Sequence, residues 1–457
     1  MSLERPRARR LARVAARRVP AAAALLLVAT FASFIDAPLH AELRAGAGVA
    51  DITPPIGTPS AGYGDRMGAG MEGVHDPLLA TALAIDDGER RVVLAGVDHL
   101  GFDRAMVEEV AAGVRERTGD GAVELFLCSS HTHAGGGAFL DIPGLGPALA
   151  GKFDPAARGL YVRGAIEAVV ASLGALRPAR IGIGYGSAPD LNAYRGDWPP
   201  NVETPTDLAV LEVTDAAGAP IAVWFDYAAH ATVLPGRENM RFSADFVGYA
   251  RNALRAALGP ETVAVYCNGA QGDVSPRPPE VAGEDMWRRA EAMGEALAAQ
   301  VLEVWSATDT AGSLRIEIAR HPYDLEVKPT SNGVQLPFAT RPSEISLLVL
   351  DDVHALVAVP GELSAIYDAD VERFGRWLGF ERVTILGLTN DAHGYIITPE
   401  SFRHRTYEST VSFGGELYGE KVESMIFALL HELEPAGAYQ AERAAPSVLL
   451  EGTAPRP

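Results

Sequence analysis

Residues 91–128, RVVLAGVDHLGFDRAMVEEVAAGVRERTGDGAVELFLC, decide the fold class. Residues 91–97 form an apolar run of strand length, residues 106–117 repeat their apolar side chains at helical spacing, and residues 123–128 form a second apolar run. A strand, an amphipathic helix and a strand in succession make the working unit of an α/β fold, and strands with no polar alternation are buried on both faces. The same rhythm continues downstream. Further strands are predicted at 180–186, 208–213, 221–227, 263–267, 345–359 and 382–388, and helices at 156–176, 246–258, 285–305, 363–377 and 419–433. The expected class is α/β, with mixed β-sheets flanked by helices. Residues 49–55 and Gly62-Tyr63-Gly64 read as turns with little periodicity, and no repeat of fixed period is visible.

The chain has 457 residues, 48% of them hydrophobic and 21% charged, which is globular composition with ample material for a large core. A formal charge of −20 argues against a phosphate-neutralising face, so no nucleic-acid partner is expected. Two cysteines cannot build a four-Cys zinc module; Cys128 and Cys267, each at a strand end, read as buried thiols. Residues 1–41 differ in kind. Seven arginines precede an apolar run at 21–35, too short to span a bilayer, with small residues at Ala37 and Ala41. This reads as a signal peptide, so the protein is expected to be exported, secreted or periplasmic, and membrane-anchored if the segment is not cleaved. Its removal leaves a mature chain of charge near −25. Residues 42–437 read as one large catalytic domain and 438–457 as a flexible Ala/Pro-rich tail.

Chemistry-bearing residues sit where apolar runs end. His131 and His133 follow the run at 123–128, and residues two apart in extended chain face the same side, which makes the pair a metal signal. His230 follows the run at 221–225; alone it reads as a core histidine. Ser243 and Asp245 precede the helix at 246 and read as its caps. Asp273 and Ser275 lie in a Gly- and Pro-rich turn after 263–267, which can present a hydroxyl to a pocket but lacks the Gly-x-Ser-x-Gly spacing of a nucleophile elbow. Glu362 opens a helix, where a carboxylate favours the positive N-terminus. Tyr395 and Tyr407 follow the run at 382–388 and alone read as packing residues.

Taken together and in order, the His131-Thr132-His133 turn, the run Gly272-Asp273-Val274-Ser275-Pro276, Pro360-Gly361-Glu362 and the Tyr395 to Tyr407 spacing resemble the catalytic domain of the neutral/alkaline non-lysosomal ceramidase family. The resemblance runs from about residue 46 to 433. It implies one catalytic Zn2+ held by His131, His230, Glu362 and Tyr395, with His133 as a proton-transferring histidine. Tyr407 matches a second site tyrosine and Arg195 a family arginine, although its flanking residues depart from the usual run. Ser275 matches a serine proposed in the family as nucleophile; with zinc present, Asp273 and Ser275 are expected to position substrate or water. The implied reaction is hydrolysis of the N-acyl bond of ceramide or a related amide to a fatty acid and an amine. Full-length members carry a further C-terminal β-sandwich domain, and the expectation here is a short form without it.

Three readings follow. The leading one is an exported zinc amidase acting on an N-acyl lipid, in peripheral contact with a membrane. The alternatives are a serine-type hydrolase using Ser275 with His133 or His230 as base, and an exported binding protein of the same fold without turnover.

Overall fold

The computed structural model describes residues 42–436 apart from Asp197 and Glu284. The signal-peptide and tail expectations fall on 1–41 and 438–457, outside the described residues. The chain first lays down β1 (Arg44–Asp51), β2 (Leu79–Asp86), β3 (Arg91–Val97), α1 (Arg104–Thr118), β4 (Val123–Ser129) and α2 (Pro155–Gly174). Next come β5 (Arg177–Ser187), β6 (Asp207–Asp215), β7 (Pro220–Tyr227), α3 (Phe246–Leu258), β8 (Val263–Asn268) and α4 (Met286–Ala307). Last are β9 (Ile316–Glu326), β10 (Thr340–Leu350), β11 (His354–Ala358), α5 (Ala365–Leu378), β12 (Arg382–Leu386) and α6 (Tyr418–Glu432).

These are three copies of one plan. In each, three strands pair antiparallel in sequence, a helix crosses over, and the fourth strand pairs parallel to the third. The first two copies join through β1 and β5 into an eight-stranded sheet of order β8-β7-β6-β5-β1-β2-β3-β4; the third forms the four-stranded sheet β9-β10-β11-β12. The repeat is topological and leaves no fixed spacing in the sequence, because the loops between strands differ in length.

The two sheets pack face to face. Leu94, Phe126, Trp224 and Val265 from the large sheet meet Leu348, Leu356 and Leu386 from the small one in a common core. Alternate residues of the large sheet, such as Val93, Leu125, Phe225 and Tyr266, face outward into the layer of α1, α2, α3 and α4. Ile345, Val357 and Ile385 face α5 and α6. The order helices, sheet, sheet, helices covers both faces of every central strand, which is why those strands read as continuous apolar runs.

Three expectations are corrected. The run at 345–359 is two strands, β10 and β11, because Asp351 and Asp352 turn the chain at φ 50° and 66°. Residues 49–51 belong to β1 rather than a turn. That strand, RAGAGVAD, is poor in large side chains because α2 lies against it: a Cβ on Gly48 would stand 2.2 Å from the Ala168 carbonyl oxygen, and one on Gly46 2.4 Å from that of Ser172. The helix predicted from 363 starts at Ala365, after Glu362–Leu363 has formed a short strand parallel to Tyr395–Ile396.

Candidate metal centre

Every unit ends its parallel pair of strands in the same region. His131 follows β4, His230 follows β7, Glu362 follows β11 and Tyr395 follows β12. This is the carboxyl end of parallel strands, where α/β sheets place ligands. Glu362 and Tyr395 are register partners in their two-residue ladder, so their side chains leave the backbone side by side. His131 holds φ 61°, a left-handed conformation that costs a non-glycine residue about 1 kcal/mol or more and is retained here by its surroundings.

Hydrogen bonds settle the tautomers of two imidazoles. His131 Nδ1 lies 2.6 Å from the Leu100 carbonyl and His230 Nδ1 3.1 Å from that of Val274. A carbonyl only accepts, so both Nδ1 atoms carry the hydrogen and both Nε2 atoms present lone pairs. Those lone pairs converge on Glu362 Oε2, at 3.2 Å from His131 and 3.1 Å from His230. Glu362 Oε2 is buried and receives no hydrogen bond. Three acceptor atoms facing one point is an arrangement a cation resolves, and two imidazoles with a carboxylate are a donor set suited to zinc. The three ring systems of His131, His133 and His230 bring a nitrogen each within 4.8 Å of one another, so His133 is also within reach of an ion.

Electrostatics hold this set in its ligating forms. Burial, then Arg195, pushes His230 down to about 3. Burial, then His131 and His230, pushes His133 well below its ordinary value. Burial and then Glu362 push the Tyr395 phenol well above its ordinary value, with Arg195 opposing.

Arg195 is the cationic fork of the site. Its Nη2 donates to the Tyr395 hydroxyl at 3.0 Å and the Gly272 carbonyl at 3.0 Å and stands 3.2 Å from His230 Nε2, while its Nε donates to Glu408 at 3.0 Å. Tyr407 covers it from the mouth, 64% exposed, with the guanidinium 5.8 Å from its ring centre. His133 Nε2 is 3.2 Å from His131 Nε2 and its Nδ1 has no partner. The His133 backbone is pinned: its N–H donates to Ala231, and its carbonyl accepts from Ser60 and from the buried guanidinium of Arg66.

Asp273 and Ser275 stand apart from this cluster. The Asp273 carboxylate accepts from the Ala365 N–H at 2.8 Å and from the Ser364 hydroxyl, so it braces the start of α5; burial raises it to about 6. Ser275 pairs with Ala193 in a short antiparallel ladder, and among the described residues no imidazole bonds its hydroxyl. Glu362 does not serve the helix N-terminus; Ser364 caps it. Asp245 caps α3, whereas Ser243 bonds Asp76. Both cysteines are free and buried.

Sequence reasoning did not assign Tyr63, Arg66, Thr232, Thr406 or Glu408, which lie in or beside the site. They sit on irregular loops, where no periodicity marks a direction. Gly62-Tyr63-Gly64 carried the one usable signal, because a Cβ on Gly62 would stand 2.5 Å from the His133 ring.

The cluster opens into two cavities. One, of about 140 Å3, is mainly apolar and includes Phe139, Leu140, Leu149 and Phe413. The other, of about 320 Å3, is lined by the rings of Tyr63, Tyr395 and Tyr407 together with Arg195 and Glu408. Among the described residues no helix is long and apolar enough to cross a membrane.

Comparison with known proteins gives a consistent pattern. Residues 43–291 match the family description "Neutral/alkaline non-lysosomal ceramidase, N-terminal". A neutral ceramidase from Drosophila melanogaster is 27% identical over 271 residues, which is 53% of this chain and 37% of that protein, so the match spans little more than a third of the relative. The crystal structure of neutral ceramidase from Pseudomonas aeruginosa superposes with a TM-score of 0.76 at 17% identity, over 86% of this chain and 74% of that one. A structure described as ceramidase complexed with C2 gives a TM-score of 0.72 at 17% identity, over 91% and 77% of the two chains. At such identity the two structures establish a shared fold.

Proposed function

Because the chain belongs to the neutral/alkaline non-lysosomal ceramidase family, we propose that it is a zinc-dependent amide hydrolase that cleaves the N-acyl bond of ceramide or a related N-acyl lipid. The observation that carries this reading is the convergence of two imidazole lone pairs on the donor-free Glu362 Oε2. His131, His230, Glu362 and Tyr395 would hold the ion. A zinc ion there would supply an acidified water and polarise the acyl oxygen.

The residues of the chain supply the rest. The apolar cavity takes the acyl chain and excludes water from the scissile bond. Tyr395, Tyr407 and Arg195 are the donors available to the negative charge that develops on the acyl oxygen, and fixed donors in a dry site stabilise such charge strongly. Burial opposes the charge of Arg195, and its pairing with the buried Glu408 carboxylate keeps it cationic. His133, whose Nδ1 is uncommitted, carries a proton to the departing nitrogen. Asp273 and Ser275 act through the backbone they brace. Export is part of the same proposal, as is encounter with the substrate at a membrane surface.

The test is metal analysis with an activity screen. Purified protein should hold one zinc per chain, release fatty acid from N-acyl lipids, lose that activity on chelation and regain it with zinc. Activity that survives rigorous chelation but is lost in Ser275→Ala would establish the serine mechanism instead. Zinc-free protein with no turnover across the amide panel would establish a binding protein.

A further inference from the structure

The wall of the apolar cavity holds a charge that the reaction does not use. Beside Leu336, Leu388 and Phe413 stands Arg341, the one guanidinium lining that cavity, with its side chain 20% exposed. Arg341 Nη2 donates to Asp391 Oδ1 at 2.5 Å, while its Nε and Nη1 have no hydrogen-bond partner among the described residues. Asp391 is well satisfied without it. That buried carboxylate also accepts from the N–H groups of Arg104 at 3.0 Å and Ala392 at 2.8 Å, from the Ser343 hydroxyl at 3.2 Å and from His393 Nε2 at 2.8 Å. His393 lines the cavity too, but its Nδ1 is taken by the Tyr418 hydroxyl at 2.8 Å. Asp391 therefore anchors one arm of the Arg341 fork and leaves the other donors to the cavity.

An acceptor stands at the same corner. Arg104, whose N–H shares Asp391 Oδ1 with Arg341, directly follows Asp103, which also lines the cavity. Asp103 caps α1 by accepting from the Met106 N–H at 2.9 Å through Oδ1, and its second oxygen has no partner among the described residues. Pressing a plain alkyl chain against unbonded polar groups strips their water without replacing it, which is costly, and an oxygen on the chain would offset that cost. One cation faces two carboxylates here, Asp391 and Asp103, so a neutral group suits the corner better than an anion. A hydroxyl both accepts and donates.

We propose that Arg341 is a specificity-determining residue that reads a hydroxyl on the acyl chain, with Asp103 accepting that hydroxyl's hydrogen. The inference rests on the amide-hydrolase reading, with the acyl chain in the apolar cavity, and extends its substrate class to ceramides whose acyl chain is hydroxylated. Arg341 bonds none of His131, His230, Glu362 and Tyr395, so the hydroxyl it reads lies out along the chain rather than beside the carbonyl.

Zinc-loaded enzyme in one kind of detergent micelle tests this with N-lauroyl sphingosine, its analogues hydroxylated at acyl carbon 2, 5, 8 or 12, and the analogue whose carbon 12 is a carboxylate. One of the hydroxyl positions beyond carbon 2 should exceed the plain chain in kcat/KM by about ten-fold. Arg341→Met should bring that ratio close to one; Arg341→Lys, whose single ammonium stays on Asp391, serves the same test if the methionine variant does not fold. A ratio of two substrates on one enzyme does not depend on the fraction folded, so a loss of stability from unpairing Asp391 does not imitate the result. Ratios near one at every position, a preference confined to carbon 2, a preference that the substitution leaves intact, or a ten-fold preference for the carboxylate over every hydroxyl overturns the inference alone. Hydrolysis of none of the six by zinc-loaded protein overturns the amide-hydrolase reading and this inference with it.

Discussion

Gly62→Ala perturbs catalysis by a single methyl group. The added Cβ would lie 2.5 Å from His133 Cγ and 2.6 Å from its Nδ1, where ordinary contact begins at 3.4 Å. The ring must therefore retreat by about 1 Å. It has nowhere easy to go: Tyr63 stands edge-on at 4.7 Å, His131 at 4.8 Å and His230 at 6.0 Å between ring centres, and the backbone of His133 is fixed by Ala231, Ser60 and Arg66. A displacement of that size at a proton-transferring group costs about 100-fold in kcat. Gly62 also sits at φ 95°, so alanine adds roughly 1–2 kcal/mol of backbone strain. The assay pairs kcat on an N-acyl lipid with zinc content and the melting temperature. The expected result is a folded, zinc-replete protein, a few degrees less stable, with kcat down about 100-fold. Near-normal kcat in that protein would refute the role given to His133. Zinc lost along with activity would refute it too, by moving His133 into the ligand set.

Other substitutions probe separate parts of the structure. Arg195→Ala removes a donor to Tyr395 and leaves the buried Glu408 carboxylate unpaired, so kcat should fall by about 100-fold or more with a lower melting temperature; kcat within three-fold of normal would remove Arg195 from the site. Gly48→Ala drives a Cβ to 2.2 Å from the Ala168 carbonyl oxygen and should destabilise the fold by about 3 kcal/mol or more in denaturant titration, whereas an unchanged midpoint would mean that α2 yields readily. Asp368 titrates near 7, raised by burial and then by Asp207 and Glu372. A carboxyl whose pKa is raised by folding contributes its stability in full below about pH 4 and loses it as the pH climbs through about 7. Asp368→Asn should thus gain on the unsubstituted protein by on the order of 3 kcal/mol between pH 4 and pH 8, and parallel stability curves across that range would contradict this.

How much was legible in the sequence follows from burial. Strands of the two-sheet core are covered on both faces, so β3, β4, β7 and β8 announced themselves as apolar runs, and His131 with His133 just past one of them read as a metal pair, whereas His230 and Glu362 took a site role only through the family resemblance. β1 was not legible, because its helix-facing positions are glycines that make room for α2 rather than large apolar groups. The turn between β10 and β11 was missed because the Asp351-Asp352 pair that makes it, in left-handed conformations, carries neither the glycine nor the proline that usually marks a turn. The loops carrying Tyr63, Arg195 and Thr406 owe their direction to long-range bonds, such as Arg195 to Glu408 and Tyr63 to the Leu234 carbonyl, which local patterning cannot register.

The threefold plan makes the site a tripod. One leg contributes His131, the second His230 and the third Glu362 and Tyr395, and no leg by itself presents more than two of these four groups. Under the zinc reading proposed above, metal affinity measures the mutual seating of all three legs. A packing defect in the helices of one unit, far from any ligand, would shift its leg and surface first as weakened zinc retention, before any loss of secondary structure. Zinc content would then serve as a sensitive gauge of native assembly for any variant of this protein.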